Sequence, residues 1–191
     1  GPNRVGPNGF LQTFADAIKL LFKEDIMTKN SDKFLFTLAP IIVFVPVMVI
    51  YGLMPFTKHF VAINIAVGLF MVFALSSITT VGIVLAGWAS NNKYSLLGGM
   101  RSAAQAISYE IPLVIAVLSV AVLSGTLNLP QIVTSQAGGI FSWNLWPAFI
   151  GFIVLFICTI AEINRIPFDL PEAESELVSG YNTEYSGMKF A

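Results

Sequence analysis

Long uncharged runs dominate the pattern of hydrophobic and polar positions along the chain. No Asp, Glu, Lys or Arg occurs over 24 residues from Phe34 to Thr57, over 33 from Phe60 to Asn92, or over 51 from Ile111 to Ala161. About 20 apolar residues suffice for a helix to cross a bilayer. Since a polar turn around Asn128 and Gly138 divides the longest run, we predict four membrane spans, over residues 34–57, 60–88, 102–126 and 144–163.

A different pattern precedes the first span. From Phe10 to Glu24 the apolar residues recur with a period of about 3.6 residues, and polar residues occupy the opposite face. The polar face carries Gln12, Asp16, Lys19 and Lys23. A helix of this kind lies in the membrane interface, where it is either a plain surface anchor or one wall of a crevice for an amphiphilic ligand.

The last 30 residues alternate acids with apolar side chains. They contain six of the eleven acidic residues, which are Glu162, Asp169, Glu172, Glu174, Glu176 and Glu184. Disordered acidic segments are poor in apolar residues, and Pro167 and Pro171 restrict this backbone further. We therefore predict an ordered loop whose packed carboxylates have raised pKa values and exchange protons near neutral pH. A solvated acidic turn is the alternative.

Together these patterns predict an all-α integral membrane protein, a fragment of a multi-helix bundle. Residues 1–33 form a loop and the interfacial helix, and 34–126 the first three spans. Residues 127–163 form the polar turn and the fourth span, and 164–191 the acidic loop. The composition agrees, because only 11% of residues are charged, about half the share in a soluble domain.

The basic residues predict an orientation. Nine of the ten Lys and Arg residues fall on one side of four spans, and only Lys58 falls on the other. The positive-inside rule puts the populated side, with the acidic loop, in the cytoplasm, or in the matrix or stroma of an organelle. The bacterial plasma membrane is the expected location, with an organelle inner or thylakoid membrane as the alternative.

Several kinds of chemistry are excluded for this chain alone. One cysteine, Cys158, and one histidine, His59, cannot build an iron–sulfur cluster, a zinc site or a bis-histidine haem. We interpret Cys158 as a packing residue. The net charge of −1 gives no general attraction to nucleic acid.

Glu110 is the sharpest single signal. If the third helix begins near Ser102, Glu110 lies about 12 Å along it, at the usual rise of ~1.5 Å per residue. A carboxylate inside a membrane is a functional candidate by default. The structural alternative is a glutamate that is hydrogen-bonded to a neighbouring helix. Arg101, Gln105 and Ser108 recur at helical spacing beside it.

Three stretches carry a family resemblance. They are Gly1–Pro7 with Leu11–Leu20, Gly87–Tyr94 with Arg101–Glu110, and Ala161–Gly187. Together they resemble subunit 1, known as the H subunit in bacteria, of the proton-pumping NADH:quinone oxidoreductase, respiratory complex I. The resemblance implies a bundle of eight transmembrane helices, of which this chain covers the second to fifth.

The resemblance also implies roles for individual residues. The implied quinone-binding residues are Arg4, Asp16, Lys19, Phe168 and Asp169. The implied proton path comprises Glu110, Glu162, Glu172, Glu174, Glu176 and Glu184, with Arg101 and Arg165 as counter-charges. No catalytic or metal-binding residue is implied.

The resemblance further implies that this chain binds no cofactor alone and is not catalytic alone. It forms part of a quinone chamber and couples quinone reduction to proton translocation. Quinone is the substrate, while NADH, FMN and the iron–sulfur clusters belong to partner subunits. The implied partners are the peripheral-arm quinone-site subunits, the small membrane-arm subunits and the lipid bilayer.

Three other interpretations compete with this one. An energy-converting hydrogenase has a related ion-translocating membrane subunit that need not bind quinone. A proton-coupled secondary transporter would use Glu110 as its ion site, but it should show an internal repeat, and none is visible among the four predicted spans. A purely structural anchor leaves Glu110 without a role.

Overall fold

The structure is a computed structural model that describes residues 3–57, 61–172, 176 and 178–190, with only the backbone of Glu172. Within these residues the fold is all-helical and contains no β-strand. The α-helices are α1 (Gln12–Phe22), α2 (Lys33–Leu53), α3 (Gly68–Ala89), α4 (Lys93–Ser124), α5 (Leu129–Ser135) and α6 (Phe149–Glu162).

Three helices, α2, α3 and α4, are long and apolar enough to cross a membrane. The fourth predicted span, 144–163, is shorter than expected, since α6 has 14 residues and a full crossing takes about 20. Side chains hold the start of the predicted span outside the helix. The Asn144 side-chain amide donates to Ser124 Oγ at 3.0 Å, and its backbone N–H donates to Gln136 Oε1 at 3.0 Å.

The start of α4 differs most from the prediction, because it lies at Lys93 instead of residue 102. Asn92 caps this end by accepting a hydrogen bond from the Tyr94 N–H at 2.9 Å. Gly98 and Gly99 have low helix propensity, but both are buried against neighbouring backbone. Tertiary packing therefore overrides the local preference and extends the helix toward its N-terminus.

The predicted turn and the predicted second span also differ in detail. Within the turn, Asn128 caps the short helix α5 by accepting from the Gln131 N–H at 3.2 Å, and Pro130 lies in its first turn. The second span begins at Gly68 instead of residue 60. Its early part is irregular in the described residues 61–67.

The helices pack in sequence, with α3 between α2 and α4, and α6 against α4. Small residues allow these close contacts. A Cβ on Gly82 of α3 would lie 2.6 Å from a Val43 methyl group of α2, and a Cβ on Gly87 would lie 2.7 Å from the Ser95 carbonyl oxygen of α4. Most large apolar side chains point outward and are exposed, as expected for a surface that faces lipid.

The described part of the acidic loop packs on this bundle. Tyr185 is buried and stacks on Phe36 of α2, with ring centroids 4.1 Å apart, and its hydroxyl donates to the Phe36 carbonyl at 3.3 Å. At the next contact, a Cβ on Gly98 of α4 would lie 2.6 Å from the Gly180 Cα. Loop and helix backbones therefore touch directly, and the loop has a defined position.

Candidate functional site

A cavity of about 60 Å³ with several polar groups in its lining lies between α3, α4 and α6. This is room for a few water molecules. Hydroxyl and amide groups line it together with two carboxylates and several apolar side chains. The polar and ionisable lining residues are Ser76, Thr79, Thr80, Ser102, Tyr109, Glu110, Cys158, Glu162 and Asn164.

Glu110 is half-buried on the cavity side of α4. Its Oε1 accepts a hydrogen bond from the Ser77 hydroxyl of α3. The same Ser77 oxygen lies 3.0 Å from the Phe73 carbonyl oxygen, one turn earlier in α3. A neighbouring helix thus provides the direct partner of this carboxylate.

Glu162 reaches the same cavity from the last residue of α6. Cys158, one turn earlier, is buried and also lines the cavity. Two carboxylates that face one cavity with room for a few waters can exchange protons through bridging water. Such bridges are nearly as favourable as direct hydrogen bonds. The arrangement is suited to moving or storing a proton.

Gln105 of α4 joins this cavity to the beginning of the acidic loop. Its Nε2 donates to the Ala161 carbonyl at 2.9 Å, the Asn164 Oδ1 at 3.0 Å and the Phe168 carbonyl at 2.9 Å. One side chain therefore joins the end of α6 to the first loop residues next to Glu110 and Glu162. The sequence indicated Gln105 only as part of a polar stripe.

Phe168 is half-buried and packs edge-on against the Tyr109 ring, with centroids 5.1 Å apart. Tyr109 precedes Glu110 and lines the cavity. Asp169 and Arg165 are exposed. Arg165 makes no ion pair with any residue that the structure describes.

Two of the loop acids have partners on the helices. Glu176 pairs with Arg101 of α4 at 2.8 Å, and the Asn92 side-chain amide donates to Glu184 Oε1 at 2.7 Å. Both contacts lie at the end of α4 that carries the Gly98 contact. The predicted proton-path residue Glu174 and the Glu172 side chain lie outside the described residues.

Helix α1 and the chain just after it contact the far end of the acidic loop. The Ile26 N–H donates to Ser186 Oγ at 3.0 Å, and Lys189 pairs with Asp25 at 2.6 Å. Gly187 lies where a Cβ would be 3.2 Å from the Lys23 carbonyl oxygen. The end of the loop therefore contacts the residues that directly follow the C-terminus of α1.

The predicted quinone-binding residues come from different segments of the chain, with Arg4 before α1, Asp16 and Lys19 on α1, and Phe168 and Asp169 in the acidic loop. Arg4, Asp16 and Lys19 are exposed, and Asp16 accepts a hydrogen bond from Gln12 at 3.0 Å. In the described part of the chain, no hydrogen bond or ion pair joins these three residues to Phe168 or Asp169.

Outside the predicted spans, burial raises the pKa of Tyr185 to about 12. The phenol is consequently neutral over the whole physiological range and serves as a structural contact. The described residues contain no group of three or more His, Cys, Asp or Glu that could hold a metal ion.

Comparison with known sequences decides the family. The profile of a family described as NADH dehydrogenase matches residues 1–191. The chain belongs to the NADH dehydrogenase family. The motif resemblance, the helical membrane bundle and this match agree.

Two curated members of this family show how far the similarity extends. A protein of Brevibacillus brevis, named as the H subunit of NADH-quinone oxidoreductase, is 56% identical over 191 residues, which is 100% of this chain and 56% of that protein. A protein of Bacillus cytotoxicus with the same name is 57% identical over 192 aligned positions, 100% of this chain and 57% of that protein. The chain therefore spans just over half the length of these relatives.

Sequence reasoning missed one contact in this NADH dehydrogenase family member that the structure reveals. Ser77 lies in an uncharged run, where a serine gives no signal of its own, and its contact with Glu110 depends on how α3 and α4 pack. Gln105 and Asn164 had a weak signal, as polar residues flanking the two acids. A predicted pairing of polar positions between α4 and the end of α6 would have found them.

Proposed function

We propose that this chain is a membrane subunit of a proton-translocating NADH:quinone oxidoreductase in a bacterial plasma membrane. In this proposal it forms part of the quinone-binding chamber and couples quinone reduction to proton translocation. The names of the relatives support the complex, and the polar cavity in the bundle supports the coupling. NADH, FMN and the iron–sulfur clusters are held by partner subunits, which deliver electrons to the quinone.

The observation that carries the proposal is the position of Gln105. Its amide bonds the Phe168 carbonyl on one side and the Ala161 carbonyl at the end of α6 on the other, beside the cavity of Glu110 and Glu162. A change in the loop when quinone is reduced thus reaches the carboxylates through one side chain. Electrostatic coupling adds to this, since charges interact strongly where the dielectric constant is low.

The quinone chamber in this proposal has two walls. One is α1 with Asp16 and Lys19, whose exposed apolar face suits an amphiphilic substrate at the membrane interface. The other is the loop with Phe168 and Asp169. The loop is held next to α1 by contacts of Ser186, Gly187 and Lys189 with the chain after α1.

The coupling is tested by replacing Glu110 with Gln in the intact complex. The substitution retains shape and removes the ionisable group, so NADH-driven proton pumping is expected to fall by about tenfold or more, equivalent to at least ~1.4 kcal/mol. Pumping is measured as pH change in sealed vesicles, with quinone reduction followed in parallel. Ser119→Ala is the control, because Ser119 lies on the same helix and does not line the cavity. Full pumping in the Glu110 variant would contradict the coupling role.

The chamber is tested separately by photo-crosslinking a quinone analogue to the intact complex and sequencing the labelled peptides. Label within residues 10–24 or 162–187 that excess quinone removes is the expected result. Label only on other subunits would reject the chamber on this chain while leaving the proton-path role open.

A further inference from the structure

One hydroxyl in the bundle faces two acceptors. Ser77 Oγ lies 3.0 Å from the Phe73 carbonyl oxygen of its own helix, and it also donates to Oε1 of Glu110 on α4. A serine hydroxyl has one proton and two lone pairs, so it donates to only one of these acceptors at a time. The contact that Ser77 makes must therefore depend on which acceptor is stronger.

The protonation state of Glu110 decides between the two. An ionised carboxylate accepts hydrogen bonds only, and bonds to it are stronger than bonds to a neutral carbonyl. A protonated Glu110 has an O–H of its own, which can donate to Ser77 Oγ. The Ser77 proton then turns to the Phe73 carbonyl, where it shares the acceptor with the Ser76 hydroxyl, and Ser77 keeps its proton in both arrangements.

We propose that Ser77 is a positioning residue that holds Glu110 at the cavity in both protonation states and transmits the change to α3. The proposal rests on the proposed function and adds a residue to it. A serine hydroxyl that donates to the carbonyl four residues earlier bends a helix slightly. Each change at Glu110 thus alters the local geometry of α3 between Phe73 and Ser77.

Other groups at the cavity do not make this contact. The ionisable groups that face Glu110 are Glu162 and Cys158 from α6 and Tyr109 from its own helix, and α3 presents the hydroxyls of Ser76, Thr79 and Thr80. Among the described residues, Ser77 alone donates a hydrogen bond to the Glu110 side chain. The Ser76 hydroxyl is directed to the Phe73 carbonyl at 3.0 Å.

The test is infrared spectroscopy of the intact complex over a range of pH. The carboxyl band of Glu110, protonated or ionised, is identified as the signal lost in Glu110→Gln. It is then measured in Ser77→Ala, which removes the hydroxyl, and in Ser77→Thr, which restores one. Ser119→Ala is the matched control, because that serine is on α4 and donates to the Ala116 carbonyl at 2.6 Å.

The expected result is a shifted Glu110 band in Ser77→Ala and an unshifted band in Ser77→Thr and Ser119→Ala. Proton pumping should fall in Ser77→Ala alone of these three. An unshifted band in Ser77→Ala, or an equal shift in Ser119→Ala, overturns the proposal. Normal pumping in Glu110→Gln would instead reject the proposed coupling function, and the band shift would still decide whether Ser77 holds Glu110.

Discussion

Two side-chain amides join helices to loops at different places in this bundle, and they differ in how fully their hydrogen-bonding capacity is used. The Asn128 amide nitrogen has two protons and two acceptors, the Asn64 side chain at 2.7 Å and the Ile65 carbonyl at 3.2 Å. Its oxygen caps α5 through the Gln131 N–H. The Gln105 nitrogen has two protons but three acceptors, all within 3.0 Å.

Asn128 therefore has one set of hydrogen-bond partners, whereas Gln105 has alternative partners. Every donor of Asn128 is matched, its surroundings are neutral, and moving it loses hydrogen bonds without replacement. Gln105 can change partners without leaving a proton unbonded, and its neighbours include the cavity with Glu110 and Glu162. The first arrangement is typical of a structural contact, and the second suits a contact that moves during function.

The largest effect is expected from a substitution that displaces the loop from α4. In Gly98→Ala the new Cβ would lie 2.6–2.8 Å from backbone atoms of Gly180 and Tyr181, and neither helix nor loop can yield cheaply. We expect a loss of about 1–3 kcal/mol in stability, as for other overpacked sites, and faster tryptic cleavage at Lys189. Both are measured on the purified complex.

Gly52→Ala is the control for this experiment. Gly52 is also helical, but the nearest atom to its new Cβ is the end of the flexible Ile63 side chain at 3.2 Å. Cleavage and melting temperature that are the same in both variants would show that the loop is not packed on α4 in this way.

A pair of matched substitutions sharpens the comparison. Gln105→Leu and Asn128→Leu each remove part-buried side-chain hydrogen bonds and should each cost about 1–3 kcal/mol. Of the two, only Gln105→Leu should also lower the number of protons pumped per electron, because Gln105 lies between the loop and the carboxylates and Asn128 does not. Melting temperature and pumping ratio are measured on the same preparations. A lower pumping ratio in Asn128→Leu as well would mean that Gln105 and Asn128 do not differ in this way.

The smallest effect concerns Tyr185, which anchors the loop side. Its folded-state pKa of about 12 is above the ordinary value of 10.0, so its stabilisation is complete below pH 10 and is lost as the pH rises through 12. Tyr185→Phe lacks the hydrogen bond to Phe36 and should be less stable by about 1 kcal/mol at neutral pH. The difference in melting temperature between the two proteins should shrink between pH 10 and pH 12. A constant difference would mean that Tyr185 is not buried.

The helices could be predicted where one local signal dominates. Asp32 accepts hydrogen bonds from the N–H groups of Phe34 and Leu35, and α2 begins next to it, one residue from the predicted start. The start of α4 was missed because Gly98 and Gly99 reduce helix propensity, whereas their burial against other backbone is a tertiary effect. Helix α5 had visible signals in Asn128 and Pro130, but the surrounding glycines favoured a turn.

In the candidate site, too, residues with a local sequence signal could be predicted and those that depend on tertiary packing could not. Glu110 and Glu162 could be predicted because carboxylates in or beside an apolar run are costly and therefore rare. Ser77 could not, since a serine in a membrane helix usually bonds its own backbone, as Ser76 and Ser119 do. Its second contact exists only because α3 and α4 come together at that level.

The contact between α1 and the end of the loop has a consequence for the order of folding. Ile26 and Ser186 are 160 positions apart in the chain, so α1 leaves the ribosome well before the end of the loop. At a synthesis rate of about 5–20 residues per second, α1 waits roughly 10–30 s for this partner. The attachment of α1 to the end of the loop therefore forms only after the helices between them have been synthesised, which makes it a late step in the folding of this chain.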